Sequence, residues 1–315
     1  MRSEGRASVS GFHAGELAMQ RRAGVEAEAA RLTPMLAPAE LRGGLAAFLA
    51  ERTFAVLTAR DAAGRLWATP LTGPAGFLAV TSPTTLRVTA AIPPGDPLHG
   101  LPPGQRAGLI TVEFATRRRF RLNGTLTEAS GGRLSFDVDQ AFGNCPQYIQ
   151  QRVLEADAGR PAAEPETGGV QARAGSALTA ADAELIRNAD TFFLGTEHPG
   201  RGTDTSHRGG PPGFVRVEGD QLWWPDYPGN NMFNSFGNLA VNPEAALLFI
   251  GFRTGETLHL SGTACVEWGQ PGAPGDDGGT GRRVRFTVRR VVVGHSRTAH
   301  EIAHRAYPRN PELTA

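Results

Sequence analysis

Short runs of apolar and β-branched residues, separated by glycine and proline, dominate the chain from residue 53 onward. The stretch TFAVLTARDAAGRLWATPL predicts two strands joined by a turn at Asp61 to Gly64, and TFFLGTEHPGRGTDTS repeats this hairpin with a longer turn. Strands of this length and spacing are typical of a small antiparallel barrel. The pattern therefore predicts a mainly β protein with short helices.

Segments with helical spacing are few and short: 15–31, 146–156, NSFGNLAVNP at 234–243, and 297–306. The helix at 146–156 would follow Asn144 and Cys145, with Asn144 as its N-cap residue. In the first half, VTAAIPPGDPLHGLPPGQ stands where the second half has NSFGNLAVNP, and its prolines exclude one regular helix. We therefore expect the two halves to differ at this edge.

The two halves of the chain repeat each other. TFAVLTA begins at 53 and TFFLGTE at 191, a shift of 191 − 53 = 138, while GPAGFLAV begins at 73 and GPPGFVRV at 210, a shift of 210 − 73 = 137. A nearly constant shift over several segments predicts a tandem duplication. We expect four regions: a helical segment at 1–50, a first barrel at 51–154, a linker at 155–178 and a second barrel at 179–315.

Composition narrows the functional classes. Hydrophobic residues make up 40% of the 315 residues and charged residues 20%, which is enough apolar material for a core. A net charge of +1 is too small to attract nucleic acid by long-range electrostatics. No apolar run is long enough for a signal peptide or a membrane span. The two cysteines have no metal or disulfide spacing. We expect a cytoplasmic protein without nucleic-acid or membrane partners and without a metal.

Several motifs resemble one known family. Three motifs of the second half resemble the pyridoxamine 5′-phosphate oxidase-like, FMN-binding split barrels. They are NPEAALLF at 242–249, the preceding LWWPDYPGNNMFNS, and SHRGGPPGFVRV at 206–217. Three further motifs resemble a bacterial branch of this family that has two barrels in one chain: FHAGELAMQRRAG, RRRFRLNG and AFGNCPQYIQ. The resemblance implies tandem split barrels that form an intrachain pseudo-dimer, with FMN in the crevice between them.

The resemblance also implies a set of cofactor-binding residues in the second barrel. Ser206, His207 and Arg208 would lie on the strand that faces the phosphate of FMN, and the turn before the short helix would add further donors: Asn230, Asn231, Asn234 and Ser235. All 32 basic residues are arginine, so Arg208 would be the principal cation of this clamp. The same asparagines are also typical of a left-handed turn beside a solvated arginine.

Trp223 and Trp224 alternate faces on one strand, so at most one of them can flank the flavin, and both are also suited to core packing. Our assignment takes Trp224 as the flanking residue. Cys265, in the middle of SGTACVEW, is expected in the core.

The first barrel would contribute residues across the pseudo-twofold axis. Asn144, Gln147 and Tyr148 are the expected cofactor contacts, and Cys145 is the expected catalytic residue; capping and packing are the alternative for this group. In RRRFRLNG, Arg119 corresponds to the family strand that contacts flavin in the first barrel's own crevice. It could instead hold the two barrels together or lie on a solvated edge.

His300 and His304 are spaced i, i+4 on the expected C-terminal helix, but without a third ligand the spacing favours a surface helix over a metal site.

The function that the resemblance implies is an FMN-dependent oxidoreductase acting on a small molecule, with NAD(P)H as one candidate electron donor. The alternative is a non-enzymatic protein that stores or binds a flavin nucleotide, haem or a deazaflavin. The pseudo-dimer would be complete within one chain, and pairing with a second copy is left open.

Overall fold

The computed structural model describes residues 11–37, 39–155, 172–296 and 300–314. The first sheet consists of β1 (Phe54–Arg60), β2 (Leu66–Thr72), β3 (Leu78–Ser82), β4 (Thr85–Thr89), β5 (Gln105–Glu113), β6 (Arg118–Ser130) and β7 (Arg133–Gly143). Neighbouring strands pair antiparallel in the order β2-β1-β5-β6-β7-β4-β3. Four hairpins and two longer connections, from β2 to β3 and from β4 to β5, thus fold this half into a barrel-like sheet.

The second sheet has the same topology. After β8 (Gln151–Glu155) and β9 (Arg173–Gly175), it consists of β10 (Thr191–His198), β11 (Gly202–Gly209), β12 (Arg216–Glu218), β13 (Gln221–Pro225), β14 (Glu244–Ile250), β15 (Glu256–Trp268) and β16 (Arg282–His295). The strand order is β11-β10-β14-β15-β16-β13-β12, with β9 added beside β16. When each strand of one half is replaced by its counterpart, the two orders are identical, as the repeated sequence predicts. The protein is mainly β, with tandem split barrels.

Five short α-helices accompany these sheets within the described residues: α1 (Ala14–Ala23), α2 (Glu26–Ala30), α3 (Gly43–Ala50), α4 (Ala180–Asn188) and α5 (Asn234–Val241). The expected helix at 15–31 is divided because Gly24, with φ of 68°, ends α1 in the left-handed region. The NSFGNLAVNP helix is present as α5. None of the described helices is long and apolar enough to cross a membrane.

The barrels meet through strands that are buried on both faces. On β1, Leu57 belongs to the core of the first barrel, whereas Val56 points the other way and packs with Phe193 and Leu248 of the second barrel. Alternate residues of one strand thus fill two different cores. This arrangement explains why β1 has an apolar run instead of an apolar and polar alternation.

Two of the helix predictions are wrong. Residues 151–155 form β8, and the C-terminal segment forms β17 (His300–Arg305), which pairs antiparallel with β8. No helix begins near Cys145, and His300 and His304 share no helix face. Arg152 on β8 makes salt bridges with Glu301 of β17 and with Asp190, and these long-range contacts favour the strand pair over local helical spacing.

Two further expectations differ from the structure. Cys265 is exposed rather than in the core, because its neighbour Ala264 faces inward and successive strand residues alternate. The expected linker at 155–178 lies largely outside the described residues, since 156–171 are not described. Its later part contains β9, which pairs with β16 and so extends the second sheet.

Hydrogen bonds and one close contact at a glycine fix the distance between the barrels. The Thr205 hydroxyl lies 2.7 Å from the Thr58 hydroxyl and donates to the Gly108 carbonyl over 2.8 Å. A Cβ atom added at Gly195 would lie 2.4 Å from the Thr58 methyl group. The interface therefore requires glycine at position 195.

We predict that Gly195→Ala lowers the free energy of unfolding by about 1 to 3 kcal/mol, because the added methyl group must displace β1. Urea unfolding followed by circular dichroism measures this change. The control is Gly44→Ala, where a Cβ atom meets nothing within 4 Å, and the free energy there should stay constant or rise by about 0.4 to 1 kcal/mol. Equal stability of the two variants would contradict the tight interface.

Candidate functional site

A cleft lies between the two barrels, with an open volume of about 910 Å³ that includes its solvent-filled mouth. The first barrel contributes β6 and the loop after β7, and the second barrel contributes the ends of β11 and β13, the first turn of α5 and the start of β16. Of the twelve residues that the sequence analysis assigned as cofactor-binding or catalytic, eleven line this cleft: Asn144, Cys145, Gln147, Tyr148, His207, Arg208, Trp224, Asn230, Asn231, Asn234 and Ser235.

The twelfth residue, Ser206, lies behind the wall of the cleft. It is fully buried, and its hydroxyl lies 3.2 Å from the Ser235 hydroxyl and 3.3 Å from the Leu194 carbonyl oxygen. Ser206 therefore supports Ser235 rather than facing the cleft directly.

The turn before α5 presents helix N–H groups to the cleft. Asn231 and Phe233 both have left-handed backbones, with φ of 60° and 58°, and the Phe233 side chain provides no cap for the helix. The first N–H groups of an uncapped helix, together with its dipole, favour a negative charge. A strained turn that leaves these groups uncapped is therefore suited to an anionic ligand.

Four arginines of the described residues line the cleft: Arg119, Arg121, Arg208 and Arg282. Two carboxylates accompany them. Asp204 pairs with Arg121 at 2.8 Å, while Asp226 pairs with Arg282 at 2.9 Å and lies 3.9 Å from Arg208. Four positive charges and two negative charges give the site a net charge of 4 − 2 = +2.

Arg119 contributes one of the positive charges that no carboxylate offsets. Among the described residues its guanidinium bonds only to neutral groups, namely His207 Nδ1 at 2.9 Å and the Cys145 carbonyl oxygen at 2.8 Å. Burial, together with the nearby charges of Arg121 and Arg208, lowers the pKa of Arg119 to about 9. A buried cation without a counter-charge is costly, so this arrangement favours an anion from outside.

The bond from Arg119 also fixes the tautomer of His207. Since a guanidinium N–H can only donate, His207 Nδ1 must accept, and the ring proton then resides on Nε2. Burial, with the surrounding arginines, lowers the pKa of His207 well below its ordinary value. His207 is thus a neutral hydrogen-bond donor through Nε2.

Buried polar atoms without partners concentrate at the cleft. Of eleven such side-chain atoms among the described residues, seven belong to residues that line it: Arg119 Nε, Arg121 Nε, Asn144 Oδ1, His207 Nε2, Arg208 Nε, Trp224 Nε1 and Tyr227 Oη. Buried polar groups normally find hydrogen-bond partners. The cluster therefore indicates a polar ligand that supplies the missing ones.

Aromatic rings line the cleft beside these polar groups. Tyr148 packs against Tyr227, with ring centroids 4.9 Å apart, and Phe233 stacks on Phe236 at 5.6 Å. Trp224 is only 2% exposed and packs edge-on against Phe192 in the second core. The Trp224 indole thus belongs to the core while its N–H remains at the cleft wall.

The corresponding crevice of the first barrel is closed by side chains. With the shift of 137, Leu71 stands at the position of Arg208 and Thr69 at that of Ser206. Thr69 is fully buried, and its hydroxyl bonds to the Asp96 carboxylate from the proline-rich segment that replaces α5. His259, the counterpart of Arg121, is 1% exposed and bonds to the Ala68 carbonyl at 2.8 Å.

Sequence reasoning missed several residues of the cleft. Arg282 and Asp226 were not assigned to it, and Arg121 was placed only on the same strand face as Arg119, by the alternation of strand residues. The structure also corrects one expectation, because Arg119 lies in the cleft of the second barrel and not in the first barrel's own crevice. Only the fold brings these segments together.

One comparison with known proteins falls on the second half of the chain. The family model described as pyridoxamine 5′-phosphate oxidase matches residues 178–272. Similar solved structures include a putative pyridoxamine 5′-phosphate oxidase from Lactobacillus delbrueckii, with 14% identity over 36% of this chain and 93% of that chain and a TM-score of 0.30. A FAD-binding protein from Mesorhizobium loti has 12% identity over 40% and 100% of the two chains, with a TM-score of 0.28.

A third similar structure is HutZ, the haem storage protein from Vibrio cholerae, with 14% identity over 36% of this chain and 92% of that chain and a TM-score of 0.27. No curated protein matches the chain. The family model nevertheless covers the strands and the turn that form one wall of the cleft. The second barrel therefore matches the pyridoxamine 5′-phosphate oxidase family model over residues 178–272.

Proposed function

We propose that this protein binds FMN in the cleft between its barrels and acts as an FMN-dependent oxidoreductase on a small molecule. The observation that carries the proposal is the net charge of +2 among buried and half-buried side chains, at a place where most of the unpartnered polar atoms collect. A phosphate monoester carries a charge of about −1.5 to −2 at neutral pH. One such group would balance the site.

The residues present fit each part of FMN. Arg208, Ser235 and the first N–H groups of α5 would hold the phosphate, with the amides of Asn230, Asn231 and Asn234 beside them. Tyr148, Tyr227 and Phe233 would border the flat ring, and the N–H groups of His207 Nε2 and Trp224 Nε1 would donate to its acceptor atoms. These donors do not need to rearrange, because packing already holds them in place.

Bound FMN supplies hydride or electron transfer at its ring. The side chains bind and orient it and limit the access of water. Arg119 occupies the lone pair of His207 Nδ1, so the Nε2–H group can serve as a fixed donor and not as a general base. Cys145 lines the mouth and is partly exposed, which is where a small-molecule substrate would enter.

His207 is unsuited to be the axial ligand of a haem iron, because its Nδ1 accepts from Arg119 and its Nε2 carries the proton. A flavin-storing protein without catalysis remains the competing function. Anaerobic NADH or NADPH bleaches the visible flavin absorption of an oxidoreductase that uses it, whereas a storage protein keeps its colour.

We predict that the apo protein binds one FMN per chain, because the first barrel's crevice is closed. Riboflavin lacks the phosphate and should bind at least about 100-fold more weakly, since several charge-assisted bonds of about 1.5 to 3 kcal/mol are lost. Quenching of flavin fluorescence gives both affinities and the stoichiometry. Equal affinities for FMN and riboflavin would rule out the phosphate clamp.

Arg208→Ala should weaken FMN binding by on the order of 1.5 to 3 kcal/mol, because it removes a charged donor to the phosphate. The control is Arg289→Ala, which removes an exposed arginine from β16 outside the cleft and should leave the affinity unchanged. The affinity for riboflavin should be nearly equal in the wild-type protein and in both variants. An Arg208→Ala variant that binds FMN with wild-type affinity would remove this residue from the clamp.

Arg119→Met tests whether this buried cation serves the ligand or the fold. The apo variant should unfold with an unchanged or higher free energy, because an uncompensated charge is replaced by an apolar chain, while FMN affinity falls more than about tenfold. Arg253→Met, at a side chain 76% exposed, is the control and should retain binding. A loss of more than about 1 kcal/mol of apo stability in Arg119→Met would assign the arginine to the fold instead.

A further inference from the structure

The N-terminal helix α1 packs directly against the start of α5. A Cβ atom added at Gly15 would lie 2.3 Å from the Gly237 carbonyl oxygen, so the two helix backbones are in contact. This contact requires glycine on both helices. It brings the first turn of α1 beside the turn that lines the cleft.

Glu16, in that first turn, is only 3% exposed. Its carboxylate accepts a hydrogen bond from the His13 backbone N–H at 2.7 Å and another from the Asn234 side-chain amide. Asn234 also lines the cleft. A single amide side chain therefore separates the Glu16 carboxyl group from the proposed cofactor site.

His13 does not neutralise this carboxylate. His13 Nδ1 accepts from the Gly15 N–H at 3.1 Å, and Nε2 donates to the Asn238 side-chain oxygen at 3.1 Å, so the ring is neutral. Among the described residues, no arginine makes a salt bridge with Glu16. Burial raises the pKa of Glu16 to about 7.

The other charged groups near Glu16 do not reverse this balance. Arg201 favours the carboxylate by its charge, while Asp204, held by Arg121, opposes it. His198 stacks on His13 with ring centroids 4.2 Å apart, and burial lowers its pKa.

Glu16 and Asp204 also border a small polar cavity of about 350 Å³, measured to its open side, together with Asn123, whose Oδ1 atom has no hydrogen-bond partner. A protonated Glu16 could supply a donor to this cavity.

We propose that Glu16 is a proton-linked positioning residue of the cleft: it takes up one proton from solvent when an anionic ligand binds. The inference rests on the proposed binding of FMN. A dianion beside Asn234 disfavours a second negative charge on Glu16, so the protonated carboxyl group becomes the stable form. Because the proton then enters the binding equilibrium, affinity falls as the pH rises through the pKa of Glu16.

The phosphate of FMN titrates in the opposite sense. Its second pKa lies near 6, so a site that selects the dianion gains affinity as the pH rises through about 6. Proton uptake and a loss of affinity at higher pH therefore identify a protein group and not the ligand.

Calorimetric titration of the apo full-length protein with FMN tests the inference, in two buffers of different ionisation enthalpy at about pH 7.5. The wild-type protein should take up a substantial fraction of one proton per FMN, and its affinity should fall at least about fivefold between about pH 6.5 and pH 8.5. Glu16→Gln should remove most of the proton uptake at about pH 7.5 and keep the affinity measured at the lower pH. Glu28→Gln, an exposed residue of α2, should behave as wild type.

The outcomes separate the two proposals. FMN binding without proton uptake by the wild-type protein overturns the role of Glu16 and leaves the cofactor assignment intact, and this result requires no variant to fold. Proton uptake at about pH 7.5 that is undiminished in Glu16→Gln also overturns it. Absence of FMN binding by the wild-type protein overturns the proposed function and this inference together.

Discussion

The burial of more arginines than carboxylates at the junction of two barrels is the constraint on which the rest of this structure depends. Arg119 is held by a histidine ring and a carbonyl oxygen, neither of which offsets its charge. A counter-charge that binds beside such a group would offset the cost of burying it. The left-handed turn before α5 also favours an anion, because it leaves helix N–H groups uncapped beside the arginines.

The site is asymmetric although the barrels share one topology. The first barrel supplies arginines from β6, and the second supplies the turn and helix that face them. At the related crevice, Leu71 and Asp96 stand where an arginine and a helix would be needed, and side chains fill the space. Covalent connection of the two halves allows this divergence, because each surface meets only one partner surface and needs to serve only one site.

The strands, the repeat and α5 could be predicted because each rests on local periodicity and turn residues. The β8–β17 ribbon could not, since its pairing joins segments about 150 residues apart, and Arg152 finds its acidic partners only in the fold. Most of the site was predictable from the motifs around SHRGG and the turn before α5. Arg282 and Glu16 were missed because each reaches the site or its neighbourhood from an element outside those motifs.

The central claim is that a phosphate dianion neutralises the buried positive charge of the cleft. Phosphorus NMR of the FMN complex tests it directly, because the chemical shift reports the protonation of the phosphate. If the claim holds, the bound resonance stays at the dianion position to at least about one pH unit below the free second pKa near 6. A bound phosphate that titrates like free FMN would show that the arginines do not face it, and would contradict the account.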